Sequence, residues 1–253
     1  MARLKAVSHQ DRLSLVEHLD ELRSRIIVSI AVFGVALALC FWQNNLLLQI
    51  AGAPLPADHD KLLTLGVTEP FTTTITVAAY GAAILSLPII LYQIYAYLLP
   101  AFSNRERRVI LPLLLMVPVL FCAGVVFAYL VVMPAATKFL LNFNESQFAI
   151  QVRAREYYSF FGTTMVAGGV IFQLPVAILS ITRLGIVGVE RLRESRRYAY
   201  LVIAVVAAAL PGVDPLTMLI EMVPLIVLFE ASLLLARAFG EPSGSELTAP
   251  AAP

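Results

Sequence analysis

The stretch that decides the fold is LVEHLDELRSR, Leu15 to Arg25, running straight into IIVSIAVFGVALALCFW, Ile26 to Trp42. The second half carries no charged residue. A hydrocarbon core about 30 Å thick takes roughly 20 apolar residues in a helix, so this half reads as a membrane span. The first half reads as its lead. Ser14 with Glu17 three residues later is a capping-box pattern and predicts an amphipathic helix over 14–25. Leu15, Leu19, Leu22 and Ile26 share one face of that helix, and Glu17, Asp20, Glu21 and Ser24 share another. Carboxylates are unusual at a membrane entry. Asp20 with Arg23 and Glu21 with Arg25 can pair along the helix for about 0.2–0.5 kcal/mol each, or the acids can receive a basic ligand. The apolar run follows a charged lead with no small-residue cleavage site, so it is expected to be retained.

Working outward, 59% of the 253 residues are hydrophobic and only 14% are charged, which sets the chain apart from soluble domains. Six runs are candidate spans: Ile26 to Trp42, Pro70 to Leu99, Val109 to Met133, Tyr157 to Ile181, Tyr198 to Leu210 and Leu216 to Ala236. Pro88, Pro112, Pro118 and Pro175, with Gly168-Gly169, predict kinked or curved helices, because neighbours inside a membrane can satisfy the carbonyls a proline frees. The fifth run stops at PG and is short for a crossing. It reads as one arm of a thin hairpin with the sixth, joined through PGVDP, Pro211 to Pro215. The expected fold is an all-α integral membrane domain over 1–240 with a disordered tail over 241–253, GEPSGSELTAPAAP from Gly240.

Lysine and arginine set the orientation. Fourteen fall on the side holding the N-terminus and four on the other, which predicts both termini in the cytoplasm. The opposite loops, Gln43 to Glu69 and Pro134 to Glu156, are long enough to form structured caps. A net charge of +1 gives no footprint for nucleic acid. Cys40 and Cys122 lie inside apolar runs and read as packing residues. His9, His18 and His59 all fall outside the spans and no intramembrane aspartate pair exists, so no serine-histidine or dual-aspartate site can be assembled for an intramembrane protease. No catalytic residue, cofactor or metal site is expected. A proton- or ion-coupled solute transporter would need several ionisable groups converging at mid-membrane, usually on paired repeats. Only Gln173 lies deep, and no repeat is visible.

A second carboxylate, Glu106, sits in SNRERR between the second and third runs, flanked by Arg105, Arg107 and Arg108. Two acids on one rim suit a basic ligand followed by an apolar stretch. HLDELRSR (His18 to Arg25), the block from Pro70 to Arg108, FQLPVAIL (Phe172 to Leu179) and DPLTMLIEMVPLIVLFE (Asp214 to Glu230) together resemble TatC, the multispanning subunit of the twin-arginine protein translocase. The resemblance covers roughly Ser14 to Phe239. It implies six transmembrane helices in a curved, concave arrangement with the last two short. It also implies binding of twin-arginine signal peptides of folded precursors, assembly with single-span TatA- and TatB-type partners into an oligomeric complex, and export driven by the proton-motive force from the bacterial inner membrane. Consistent with that energy source, the sequence has no phosphate-binding glycine loop. The family's arginine-recognising glutamates map onto Glu21 and Glu106, with Arg23 in the same motif and Tyr97 at an aromatic position before Pro100.

The chain departs from the family pattern in the fourth and sixth spans. Gln173 stands where glutamate is common, Met218 stands where glutamine commonly follows the aspartate matching Asp214, and Glu221 takes a usually apolar place. Asp214 and Met218 are therefore expected at a partner or outer-loop contact, and Gln173 and Glu221 as intramembrane polar groups. A mechanism needing a proton on the fourth-span residue cannot use Gln173.

Overall fold

A computed structural model describes residues 9–56, 62–98, 104–148, 150–183, 187–209 and 215–239. The described residues form helices, with one isolated bridge pairing Leu63 and Arg153. In chain order the helices are α1 (His9–Trp42), α2 (Asn44–Gly52), α3 (Glu69–Leu98), α4 (Asn104–Phe127), α5 (Met133–Asn142), α6 (Ala154–Ile171), α7 (Leu174–Arg183), α8 (Val189–Glu194), α9 (Arg196–Ala209) and α10 (Pro215–Phe239). A π turn, Ala128–Val132, joins α4 to α5. Among the described residues, five segments are long and apolar enough to cross a membrane: His18–Trp42, Glu69–Tyr97, Leu115–Asn142, Ala154–Thr182 and Pro215–Arg237.

Several boundaries differ from the sequence reading. The lead and first span are one helix of 34 residues, not a separate helix over 14–25. Ser14 sits inside it, because no glycine or proline interrupts His9 to Trp42 except Gly34, and a helix already running leaves nothing for a cap to start. The third span does not end at Met133. It continues through the π turn and α5 to Asn142, so the expected loop beginning at Pro134 is helical for its first nine residues. Pro134 has no N–H and its ring presses on the carbonyl four residues back, Leu130; the wider π turn accommodates both. Gly168-Gly169 does not break the fourth span. The interruption falls later, at Phe172-Gln173, just ahead of Pro175. The fifth run forms α9, 14 residues and about 21 Å long. It falls short of the length that marks the other five.

Small residues bring the helices together. Ala36 and Cys40 of α1 meet Ala78 and Ala82 of α3 in one buried cluster, the close approach that drives helix association where lipid tails are as apolar as leucine. A Cβ on Gly124 of α4 would overlap the Gly168 carbonyl of α6, so the two backbones touch there. Ile178 of α7, Ile203 and Ala207 of α9, and Leu225, Phe229 and Leu233 of α10 form a second core. At its rim Glu230 accepts from Arg196 Nη2 at 2.7 Å and from the Tyr200 hydroxyl at 2.6 Å, tying α9 to α10.

At the opposite end, a cap closes over α3, α5 and α6. The last carbonyls of α2 have no donor in their own helix. Tyr129 donates to Ile50 O at 3.0 Å and Tyr157 to Ala51 O at 2.6 Å, so two membrane helices hold α2 down by its orphan groups. Leu63 and Arg153 pair through Leu63 N to Val152 O and Ala154 N to Leu63 O, both 2.9 Å. Glu69, 5% exposed at the start of α3, then takes the Arg153 guanidinium as a fork, Nε to Oε1 at 2.7 Å and Nη2 to Oε2 at 3.3 Å. It also accepts from the backbone of Leu65 and Gly66. The Glu69 carboxylate pushes the Arg153 guanidinium up from its usual range. Arg153→Ala is expected to lower the thermal unfolding midpoint in detergent. Arg153→Lys should recover only part of the loss, since an ammonium cannot reproduce the fork. Equal midpoints for the alanine variant and the parent would show the cap to be held by α2 alone.

Candidate functional site at the α1–α3 rim

Two sequence-predicted site residues, Glu21 and Tyr97, belong to one network where α1 enters the bundle and α3 leaves it. On a helix, residues three and four apart face each other. His18, Glu21 and Arg25 therefore form one stripe on α1. Glu21 Oε1 accepts from Arg25 Nε at 3.0 Å and Nη2 at 2.5 Å, and His18 Nδ1 lies 3.9 Å from Glu21 Oε2. The stripe continues onto α3. Arg25 Nη1 donates to Gln93 Oε1 at 2.8 Å and reaches the Gln93 carbonyl at 3.4 Å, while the Tyr97 ring stacks on His18, centroids 4.2 Å apart and planes within 9°. Gln93 and Tyr97 are one turn apart, so two contacts at matching helical spacing fix the register of α1 on α3.

Of the two intrahelical pairs considered from sequence, Glu21 with Arg25 forms, whereas Arg23 points to solvent. The Glu21 side chain stays 34% exposed, reachable by a second guanidinium. Glu106 lies in the opening turn of α4, and its side chain, like that of Glu17, is outside the described residues. Asp214 also lies outside them. Met218 is partly buried against the α7–α9–α10 core.

Gln173 and Glu221 are both buried but are placed differently. Gln173, at the α6–α7 break, donates from Nε2 to Val117 O of α4 at 3.2 Å and to Gly169 O at 3.4 Å. It bonds between helices. Glu221 instead lines a small cavity on α10 whose walls come from α6 and the π turn. Sequence reasoning missed Gln93, the His18–Tyr97 stack, the Glu69–Arg153 fork and the Arg196–Glu230–Tyr200 cluster. Only the stack had a local signal, two aromatic or imidazole groups near helix ends; the others join residues 30 or more positions apart.

The profile of the family described as "Sec-independent protein translocase protein (TatC)" matches residues 17–224. The chain belongs to the TatC family. Its match includes every candidate site residue from Glu21 to Glu221. The TatC protein of Carboxydothermus hydrogenoformans is 35% identical over 226 residues, covering 89% of this chain and 93% of that protein. The TatC protein of Aquifex aeolicus is 33% identical, covering 89% and 95%. The chloroplastic protein of Pisum sativum is 36% identical over 219 residues. A crystal structure titled twin arginine translocase receptor TatC superposes with a TM-score of 0.74 at 32% identity, covering 87% of this chain and 98% of that one. The chain is thus a multispanning membrane subunit of the Tat translocase, and the solute-transporter reading finds no support among these relatives.

The network makes a stability prediction within this TatC-family fold. Gln93→Ala removes the acceptor that holds Arg25 to α3 and is expected to cost about 1 kcal/mol, the low side for a hydrogen bond to a charged group because the rim is partly solvated. Thermal unfolding in detergent reads this directly. An unchanged midpoint would mean that the His18–Tyr97 stack alone sets the register.

Proposed function

We propose that this chain is the twin-arginine-receiving subunit of its translocase, using Glu21 and Glu106 as the carboxylates that bind the paired arginines of a precursor's signal peptide. The observation that carries this reading is the Glu21–Arg25 pair: a carboxylate about a third exposed already holds a guanidinium, and Gln93 stands beside that guanidinium as an alternative acceptor. An incoming arginine takes the Glu21 fork while Arg25 keeps its bond to Gln93. Arg23 and Tyr97 flank the site, the tyrosine by holding His18 in place. The apolar part of the signal peptide lies along the helical surface and adds affinity without sequence selectivity. The chain acts by binding and assembly, with no bond made or broken. Its single-span TatA- and TatB-type partners dock against α9 and α10, with Asp214 and with Met218 in the first turn of α10 as contact residues. Energy comes from the proton-motive force across the bacterial inner membrane.

In this reading α9 is a sixth crossing that thins the bilayer, and both termini face the cytoplasm, supported by the 14 to 4 division of basic residues. Reporter fusions in the Gln43 to Glu69 loop are expected to be exported and fusions after Gly240 to be cytoplasmic. A cytoplasmic signal from the first loop overturns the six-span topology.

The binding test uses membranes holding equal amounts of each variant and a radiolabelled twin-arginine precursor. An exposed ion pair contributes about 0–1 kcal/mol, too little for a selective receptor. Charge-assisted hydrogen bonds at a partly desolvated rim contribute about 1.5–3 kcal/mol, so Glu21→Gln and Glu106→Gln are each expected to weaken binding roughly tenfold or more. The double variant should nearly abolish it, and Glu17→Gln should do little. Lys-Lys signals should bind the parent more weakly than Arg-Arg signals, with the gap shrinking in Glu106→Gln. Undiminished binding in the double variant would reduce both acids to a solvated helix face.

A further inference from the structure

Glu221 belongs to neither the rim nor the cap. It lies six residues into α10, about 9 Å from the start of that helix, and is 7% exposed. With Thr164 and Gly168 of α6 and Ala128 and Val132 of the π turn, it lines a cavity of about 20 Å³. Thr164 is 2% exposed, and its hydroxyl has no hydrogen-bond partner among the described residues. Buried polar groups in folded proteins are nearly always bonded, and an orphan hydroxyl beside a cavity wants a small polar guest.

The cavity has the right size and chemistry for one. A water needs roughly 10–15 Å³ of accessible space and two to four polar partners. Two candidates are the Glu221 carboxyl and the Thr164 hydroxyl. Pro224, also on the wall, has no N–H to give the carbonyl of Ile220, so the backbone next to Glu221 carries an acceptor without its helical donor. The remaining wall, including Phe127, Ile171, Phe172 and Leu225, is apolar and directs a guest to these few groups. A carboxyl has room for more than one partner, and a resident water adds solvation that lipid cannot.

We propose that this cavity is an intramembrane water site, in which a single water bridges the Glu221 carboxyl and the Thr164 hydroxyl between α10, α6 and the π turn. Among the described residues, no titratable side chain of α4, α6 or the π turn lines the cavity. Glu230, farther along α10, is engaged with Arg196 and Tyr200 of α9. Lys138 of α5 borders a separate groove with Leu216 at the start of α10. The charges of α8, Glu190, Arg191, Arg193 and Glu194, belong to a helix joined to the rim end of α9. The Arg183 side chain of α7 lies outside the described residues. Water suits these groups because it can donate to the carboxyl and either donate to or accept from the hydroxyl.

The test is water-edited solid-state NMR on the purified full chain in lipid bilayers, with no precursor or partner, so its outcome is independent of the signal-peptide reading. Magnetisation from water is expected to reach Thr164 Cβ and Glu221 Cδ several-fold faster than it reaches Val117, which is fully buried elsewhere in the bundle. Thr164→Leu, which fills the cavity, should slow transfer to Glu221 to the Val117 rate, and Thr164→Ser, which keeps the hydroxyl, should leave it fast. Transfer in the parent protein no faster than to Val117 overturns the proposal. So does fast transfer to Glu221 that persists in Thr164→Leu, because the water would then reach the carboxyl by another route. The parent measurement decides even if the leucine variant fails to fold.

Discussion

Every backbone N–H and C=O within hydrocarbon must find a partner inside the protein, because no water is there to take its place. That constraint explains why the described residues are helical almost throughout and why each departure from a regular helix sits against another element. The π turn at Ala128–Val132 relieves Pro134 and is packed on α6 and α10. The break at Phe172-Gln173 is covered by a side-chain amide that reaches across to the Val117 carbonyl of α4. Where a short helix ends outside the spans, the hydroxyls of Tyr129 and Tyr157 take its last carbonyls. Irregularity is confined to places where a neighbour can satisfy it.

With the backbone settled, charge is left to the two ends, and each end uses a guanidinium fork differently. At the cap, Glu69 is buried and Arg153 is committed to it, with two backbone donors filling the remaining lone pairs. Such a pair holds segments together but offers nothing to a visitor. At the rim, Glu21 remains a third exposed, and its partner Arg25 already has a second acceptor in Gln93. A pair with a spare acceptor can exchange. The same chemistry gives a closed pair at one end and a solvent-accessible pair at the other, and the difference is solvent access rather than residue type.

How much of this the sequence reveals depends on range. The spans read directly because hydrophobic length is a local property, and the Glu21–Arg25 pair reads from helical spacing. The capping box at Ser14 misleads because a local motif cannot show that the helix has already begun five residues earlier. The end of the third span misleads because proline normally marks a boundary, and only the packed neighbourhood allows a π turn to carry the helix past Pro134. Gly168 and Gly169 read as breakers, yet their lack of side chains serves contact with Gly124 and with the Phe121 ring. Glu69–Arg153 and Arg25–Gln93 leave no trace in spacing, since 84 and 68 residues separate their partners.

The fourth and sixth spans show how a polar group can be present in a membrane with two different consequences. Gln173 cannot release or accept a charge, and its amide is spent on two carbonyls, so it behaves as a strut between α4 and the α6–α7 break. Glu221 is also buried, but its surroundings are a π turn, a proline-interrupted helix and a threonine hydroxyl, all features that loosen regular hydrogen bonding. A strut and a solvated carboxyl place opposite demands on packing: one needs close backbone contact, the other needs room. The glycine contact between α4 and α6 provides the first, and the widened turn that follows α4 provides the second within a few residues of it. The two adjoin at Gly168, which touches Gly124 of α4 and also lines the cavity, so close backbone contact gives way to a small polar space along α6.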